Sequence, residues 1–352
     1  MGDLRATRRQ VLKGAAAGAA SIAASVAAPA LLAAQPRKIV VAVWGGPLAN
    51  AMKQVYAQAF AGTDVILDFD ESGPEPAKIR SMVQSGRVSW DIADLSVADN
   101  ALLGRAGLMR PIRYNLVPKE KVLPGFAYEF AIANYIFSSV LTYDRQALGG
   151  KAPASWADFW DVRKFPGKRA LRKHIEGVLE CALIADGVPL DRIYPIDEAR
   201  AFAKLRTLLP HIIFWNSGSE SQQLMRDGEV VMGNLWSTRA TEIALQDSRF
   251  GMTFNGGLLL PSSWGVIARN PNGDAVFPVI AKTLDAQVQA RIFAATHMSP
   301  SNPQAESFIP DRLKQYNPTS AQNVARQVPV NVQWYIDNQE RVQTKFLELI
   351  AA

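Results

Sequence analysis

The chain has 352 residues, 48% of them apolar, with 38 Lys plus Arg against 32 Asp plus Glu and a formal net charge of +6. That surplus includes no dense basic run of the kind that neutralises a phosphate backbone, so the charge does not point to nucleic acid. A single cysteine, Cys181, set in the apolar stretch Val178 to Leu183, excludes an intramolecular disulfide and reads as a core thiol.

The first element is an address rather than a piece of fold. Thr7-Arg8-Arg9-Gln10-Val11-Leu12-Lys13 precedes an alanine-rich apolar run and a small-residue exit near Ala28 to Ala34. This order of basic, apolar and small residues marks an export signal of twin-arginine type, with Val11 where Phe is usual, cleaved to leave a periplasmic protein. As a membrane anchor the run is poor, being mostly Ala and Gly and broken by Pro29. Residues 1–34 carry four cations and one aspartate, so their removal lowers the charge to +3. The residues that remain suffice for two cores of roughly 100 to 200 residues each.

Downstream, strands and helices alternate. Lys38 to Val43 is β-branched and stops at Trp44-Gly45-Gly46-Pro47, after which Ala51, Val55, Ala59 and Phe60 recur at helical spacing. Val65 to Phe69 repeats the strand signal, ends in Asp70-Glu71-Ser72-Gly73-Pro74, and precedes a helix through Ile79, Met82 and Val83. Asp91 to Leu95 is a third strand, ending at Ser96 before a helix to Leu103. The alternation predicts an α/β fold with a parallel sheet, whose ligand crevice lies beyond the carboxyl ends of the strands, where Trp44, Ser72 and Ser96 fall.

Tyr135 to Tyr143 is a long extended run that can cross into a second region. There the pattern predicts a helix from Trp156, a strand at Arg169 to Leu171, and a long helix from Glu176. Another helix over Ile196 to Leu209, a strand at Ile212 to Trp215, a helix from Ser219 and a strand from Val230 to Leu235 follow. Met252 to Ile267, with Gly256-Gly257 and Pro261 inside it, reads as the return crossing. Two crossings imply two hinged lobes: residues 35–139 plus 262–305, and residues 140–261 plus 306–352.

Several motifs then occur in a recognisable order: Trp44-Gly45-Gly46, Ser72-Gly73, Trp90-Asp91-Ile92, Ser155-Trp156-Ala157-Asp158-Phe159-Trp160 and Phe165-Pro166-Gly167-Lys168. In these the chain resembles the family 1 extracellular solute-binding proteins, specifically the spermidine/putrescine (polyamine)-binding receptors of bacterial ABC importers. The resemblance implies a two-lobed periplasmic binding protein fold, a monomer without cofactor, that closes on a solute and delivers it to an inner-membrane ABC permease. It places Trp44, Ser96 and Trp236 on cleft positions. The acidic anchors of polyamine receptors fall instead on His174, on Gly177 and near Ser263, and a buried ammonium without a carboxylate loses several kcal/mol, more than aromatic contacts at roughly 1 to 2 kcal/mol return.

What stands at the crevice edge is cationic: Arg172-Lys173-His174 directly after a strand, and Arg239 three residues past Trp236. The turns at Gly45-Gly46, Ser96 and Ser217-Gly218-Ser219 each open a predicted helix, where amide groups favour anions. Glu176 and Glu180 follow helical spacing and read as an exposed face. The expected ligand is therefore a small organic anion or a zwitterion, its carboxylate held by Arg172 or Arg239. A polyamine is the alternative within the family. An exported enzyme is the alternative outside it, although no His-Glu-x-x-His, Cys-x-x-Cys or Gly-x-Ser-x-Gly pattern is present. A ferric receptor would need neighbouring tyrosines, and Tyr135, Tyr143, Tyr194 and Tyr335 are dispersed.

Overall fold

A computed structural model describes residues 36–351. The expected export signal, residues 1–34, lies outside the described residues.

The chain runs β1 (Arg37–Ala42), α1 (Gly46–Ala59), β2 (Val65–Asp70), α2 (Pro76–Ser85), β3 (Ile92–Ser96), α3 (Val97–Arg105), β4 (Met109–Arg110) and β5 (Ile132–Asp144). It continues through α4 (Trp156–Trp160), β6 (Arg169–Arg172), α5 (Val178–Ala185), α6 (Glu198–Arg206), β7 (Ile212–Trp215), α7 (Gly218–Arg226), β8 (Met232–Trp236) and α8 (Ser237–Gln246). It ends with β9 (Phe250–Ile267), α9 (Val276–Thr283), α10 (Ala286–Thr296), β10 (Ser299–Pro300), α11 (Asp311–Lys314), α12 (Ala321–Val324), β11 (Val328–Pro329) and α13 (Val332–Ala351).

Among the described residues all the strands join one sheet, whose main order is β2-β1-β3-β9-β5-β8-β6-β7. Its two ends are parallel, β2-β1-β3 and β8-β6-β7, as the alternating pattern requires. The two long antiparallel strands β5 and β9 join them. Ile132 to Ser139 pairs with Leu258 to Trp264 beside the first end, and Leu141 to Asp144 pairs with Phe250 to Thr253 beside the second. The register breaks between Ser139 and Leu141, where Gly256 turns at φ +71° and its carbonyl accepts the Trp156 indole N–H at 2.8 Å.

Two sets of helices cover this sheet and form separate cores. Ile39, Met52, Val55, Phe277 and Ile280 belong to the first, and Trp156, Phe159, Leu179, Phe202 and Phe346 to the second. Each large apolar side chain buried this way contributes roughly 1.5 to 3 kcal/mol. The C-terminal helix α13 joins the second core through Trp334, Tyr335, Val342 and Phe346, so the end of the chain covers the loop that follows β6.

Most predicted elements appear within two or three residues of their expected bounds. The helix expected from Glu176 begins at Val178, because Gly177 takes a left-handed conformation (φ +80°) at its cap. That shift overturns the exposed face expected for the two glutamates. Glu176 precedes the helix and points into a cleft, and Glu180 is 1% exposed. The helix expected over Ile196 to Leu209 is shorter, because the Asp197 carboxylate caps it by accepting the Arg200 N–H at 3.0 Å.

Candidate functional site

Between the two ends of the sheet lies a cleft of about 790 Å³. Its floor is the crossing strands, through Phe137 of β5 and Leu260 and Ser262 of β9. One wall is the turn after β1 together with the first turn of α3. The other is the loop after β6, backed by α13. A smaller cavity of about 500 Å³ adjoins it along α3 and the start of α13, sharing Val97, Val330, Val332 and Ile336.

On the first wall Trp44 stands 54% exposed, an unusual state for so large a ring. Its orientation is nevertheless fixed. The indole N–H donates to the Asp94 carbonyl at 2.9 Å, and the six-membered ring lies against Gly73, where a Cβ would stand 3.5 Å from Trp44 Cε3 and Cζ3. Ser96 caps α3, its Oγ accepting the Asp99 N–H at 3.0 Å and donating to Asp99 Oδ2 at 2.7 Å, so Asp99 is held at the rim.

The second wall carries the opposing charges. β6 ends at Arg172, whose guanidinium lies 5.1 Å from the centroid of the Trp236 ring and 3.2 Å from Glu176 Oε2. Both charged side chains are about a quarter exposed, so each keeps a face toward the cleft. Burial raises the Glu176 pKa and Arg172 opposes the rise. His174 also lines the cleft. Burial, with Arg172 adding to it, depresses its pKa to about 4, and its Nδ1 accepts the Glu176 N–H at 3.1 Å, as a neutral ring requires.

Beneath the floor, the fully buried Asp94 accepts hydrogen bonds from Ser262 Oγ (2.6 Å), Asn134 Nδ2 (3.1 Å) and Tyr135 Oη (3.1 Å). Burial outweighs these bonds and lifts its pKa to about 6.

Of the residues expected at the site, Trp44, Ser96, Arg172 and His174 line this one cleft. Trp236 lies directly behind Arg172 and meets Phe137 and Trp215 edge-on at 5.9 and 5.4 Å. Gly45 and Gly46 form the left-handed turn into α1 beside Trp44 (φ +70° and +73°). Ser72, next to Gly73, is exposed, its N–H donating to Asp70 Oδ1. Ser217 caps α7 and Arg239 pairs with Glu242 at 3.4 Å, and neither lines the cleft. Ser263 is fully buried on the opposite side of β9, between Asn100 and the Leu95 carbonyl, while its neighbour Ser262 faces the cleft. Strand alternation makes that exchange: a one-residue shift reverses the face.

Sequence reading left out the floor residues Phe137, Leu260 and Ser262, the acids Asp99 and Glu176, and the α13 wall, where Tyr335, Gln339, Glu340 and Gln343 line the cleft. Asp99 had a visible signal, its capping spacing to Ser96. For α13 no local pattern could reveal a partner more than 150 residues away.

Comparison with known proteins agrees with this architecture. Residues 51–320 match the model of a family described as bacterial extracellular solute-binding protein. A gamma-aminobutyric acid-binding protein of Pseudomonas aeruginosa is 31% identical over 326 residues, covering 89% of this chain and 91% of that one. Among solved structures, a GABA receptor is 29% identical with a TM-score of 0.81, covering 89% of this chain and 98% of that chain. The protein MotA from A. tumefaciens B6, in complex with glucopine, is 28% identical with a TM-score of 0.73, covering 89% of this chain and all of that chain. These relatives are binding proteins, and their two-lobed fold is the one described above. The chain therefore belongs to the bacterial extracellular solute-binding protein family, the solute receptors of ABC importers.

Proposed function

We propose that this protein is a monomeric periplasmic receptor that closes on a small zwitterionic amino acid of the γ-aminobutyric acid type and presents it to an inner-membrane ABC permease, without chemical turnover. Residues 1–34 are its removable twin-arginine signal, so the periplasmic protein has an intact mass lacking them. The hinge separates residues 35–139 plus 262–305 from residues 140–261 plus 306–352, and β5 and β9 cross between the two.

One observation carries the reading: a single cleft presents Arg172, backed by Trp236, together with Glu176, and Asp99 on the facing wall. The guanidinium suits a carboxylate, and the acids of the cleft, Glu176, Asp99 and Glu340, suit an ammonium. A diamine fits less well, because Arg172 repels one of its two cations. A simple carboxylate competes with Glu176 for Arg172 and brings its negative charge beside the acids of the cleft, with no ammonium to offset them. The relatives named as GABA-binding support the same class. Trp44 and Ser96 complete the first wall of the ligand site in this reading, with His174 a neutral hydrogen-bonding group beside Arg172.

Calorimetric titration of protein refolded free of carried-over ligand tests it with GABA, butyrate, butylamine and putrescine. GABA is expected to bind more tightly than either analogue missing one charged end. Arg172→Ala is expected to weaken it by roughly 2 to 4 kcal/mol, the scale of a lost charge-assisted contact. Tight putrescine binding with no response to GABA would overturn the proposal in favour of the polyamine alternative.

A further inference from the structure

The loop that brings Arg172, His174 and Glu176 to the cleft is fixed from behind by one buried carboxylate. Glu180, on the first turn of α5, accepts the Gly177 N–H at 2.9 Å through Oε2. Its Oε1 accepts two phenols, Tyr194 Oη and Tyr335 Oη, each at 2.6 Å. Tyr335 lines the main cleft and Tyr194 lines the smaller cavity beside it. Two further bonds tie the same loop: Ile175 N–H donates to Gln343 Oε1 on α13, and Asn234 Nδ2 of β8 donates to the Gly177 carbonyl, both at 2.9 Å.

A buried carboxylate is costly unless donors replace its hydration, and here three donors do so. Both oxygens of Glu180 are taken by the protein, so it is not itself a ligand group. The bonds converge on a single structural consequence, the left-handed turn at Gly177 that ends the loop and fixes where Glu176 leaves it. Tyr335 is the one member of the network that both faces the cleft and holds this carboxylate.

We propose that Glu180, acting through Gly177 and Tyr335, is a positioning residue for solute recognition: it sets the loop so that Arg172, with Glu176 beside it, meets the ligand at a fixed spacing from Asp99 on the facing wall. The proposal rests on the zwitterion reading. It adds that recognition depends on a residue that touches no solute and on the C-terminal helix that carries Tyr335.

The test compares Glu180→Gln and Tyr335→Phe with Trp160→Phe, which removes a bond in the same core, from Trp160 Nε1 to the Lys204 carbonyl at 3.1 Å, away from the loop. Titration with GABA and butyrate, melting temperature and amide exchange of residues 173–177 are measured for each. Glu180→Gln and Tyr335→Phe are expected to bind GABA about tenfold more weakly, the size of one net hydrogen bond, and to lose part of their preference for GABA over butyrate. Trp160→Phe is expected to lower the melting temperature while keeping both affinities. If the Glu180 and Tyr335 variants melt lower with GABA affinity and preference unchanged, their role is structural only and the proposal is overturned. If Glu180→Gln does not fold, Tyr335→Phe decides. If the wild type binds neither GABA nor butyrate, the zwitterion reading has failed separately. Exchange at 173–177 then decides without ligand: faster exchange in the variants supports positioning of the loop, and equal exchange overturns it.

Discussion

His174 has the most legible electrostatics in the cleft. Its folded pKa, about 4, lies below the ordinary histidine value because burial and the Arg172 charge both oppose protonation. A histidine depressed in this way leaves stability intact above the unfolded value near 6.5, and that stability is lost as pH falls from there toward 4, since only the unfolded chain takes up the proton readily. Asp94 works in the opposite direction. Its pKa is raised to about 6, so the folded state binds a proton more readily than the unfolded one between about pH 4 and 6, and acidification through that window stabilises the fold. His297, lowered by burial, adds to the first slope and Glu176, raised by burial, to the second, so the wild-type curve mixes several opposing slopes and a variant is needed to separate them. His174→Gln keeps a polar side chain of similar reach and removes the titration. It is expected to lose less melting temperature than the wild type between pH 7 and pH 5; parallel curves would show that His174 is not held neutral.

The turn at Gly177 makes the strongest prediction at the scale of elements. At φ +80° it occupies a region costly for any residue with a Cβ, and a Cβ there would lie 2.7 Å from Ser139 Oγ and 3.0 Å from Ser139 Cβ. Gly46 has a similar angle, φ +73°, but nothing within 4 Å of the same position. Both alanine variants carry the backbone cost of about 1 to 2 kcal/mol, and only Gly177→Ala adds a clash. Urea unfolding is expected to find Gly177→Ala less stable than Gly46→Ala by at least about 1 kcal/mol; equal losses would mean that β5 yields freely at Ser139. This contrast also marks what the sequence makes legible. Strand, turn and helix alternation is a local signal, written in period and in Gly and Ser punctuation, so β1 to α3 and the two crossing strands could be read directly. The parity of Ser262 and Ser263 depends on pairing register, which local spacing leaves open. The reversal at Glu176 and Glu180 depends on where a helix begins, and a left-handed glycine moved that start by two residues. The α13 wall depends on a docking contact between distant parts of the chain, and no window of sequence contains it.

In the hinged receptor proposed above, the two parallel ends joined by β5 and β9 move about those strands. A solute that contacts both walls stabilises the closed arrangement by its differential affinity for the two forms, so binding and closure are coupled. Trp44 is a natural reporter of that coupling. Its indole N–H is already anchored on the Asp94 carbonyl, while 54% of its surface faces solvent in the cleft. Closing the second wall, with Arg172 and Glu176, onto the first removes water from the exposed ring face. Saturating GABA is thus expected to shift the tryptophan emission to shorter wavelength and to reduce quenching by acrylamide, and Trp44→Phe is expected to abolish most of both changes. Trp236 supplies the internal contrast, because its ring already lies between Arg172, Phe137 and Trp215 and has less solvent to lose. Calorimetric binding without any change at Trp44 would mean that the ligand is held by one wall alone, and that the two halves do not close on it.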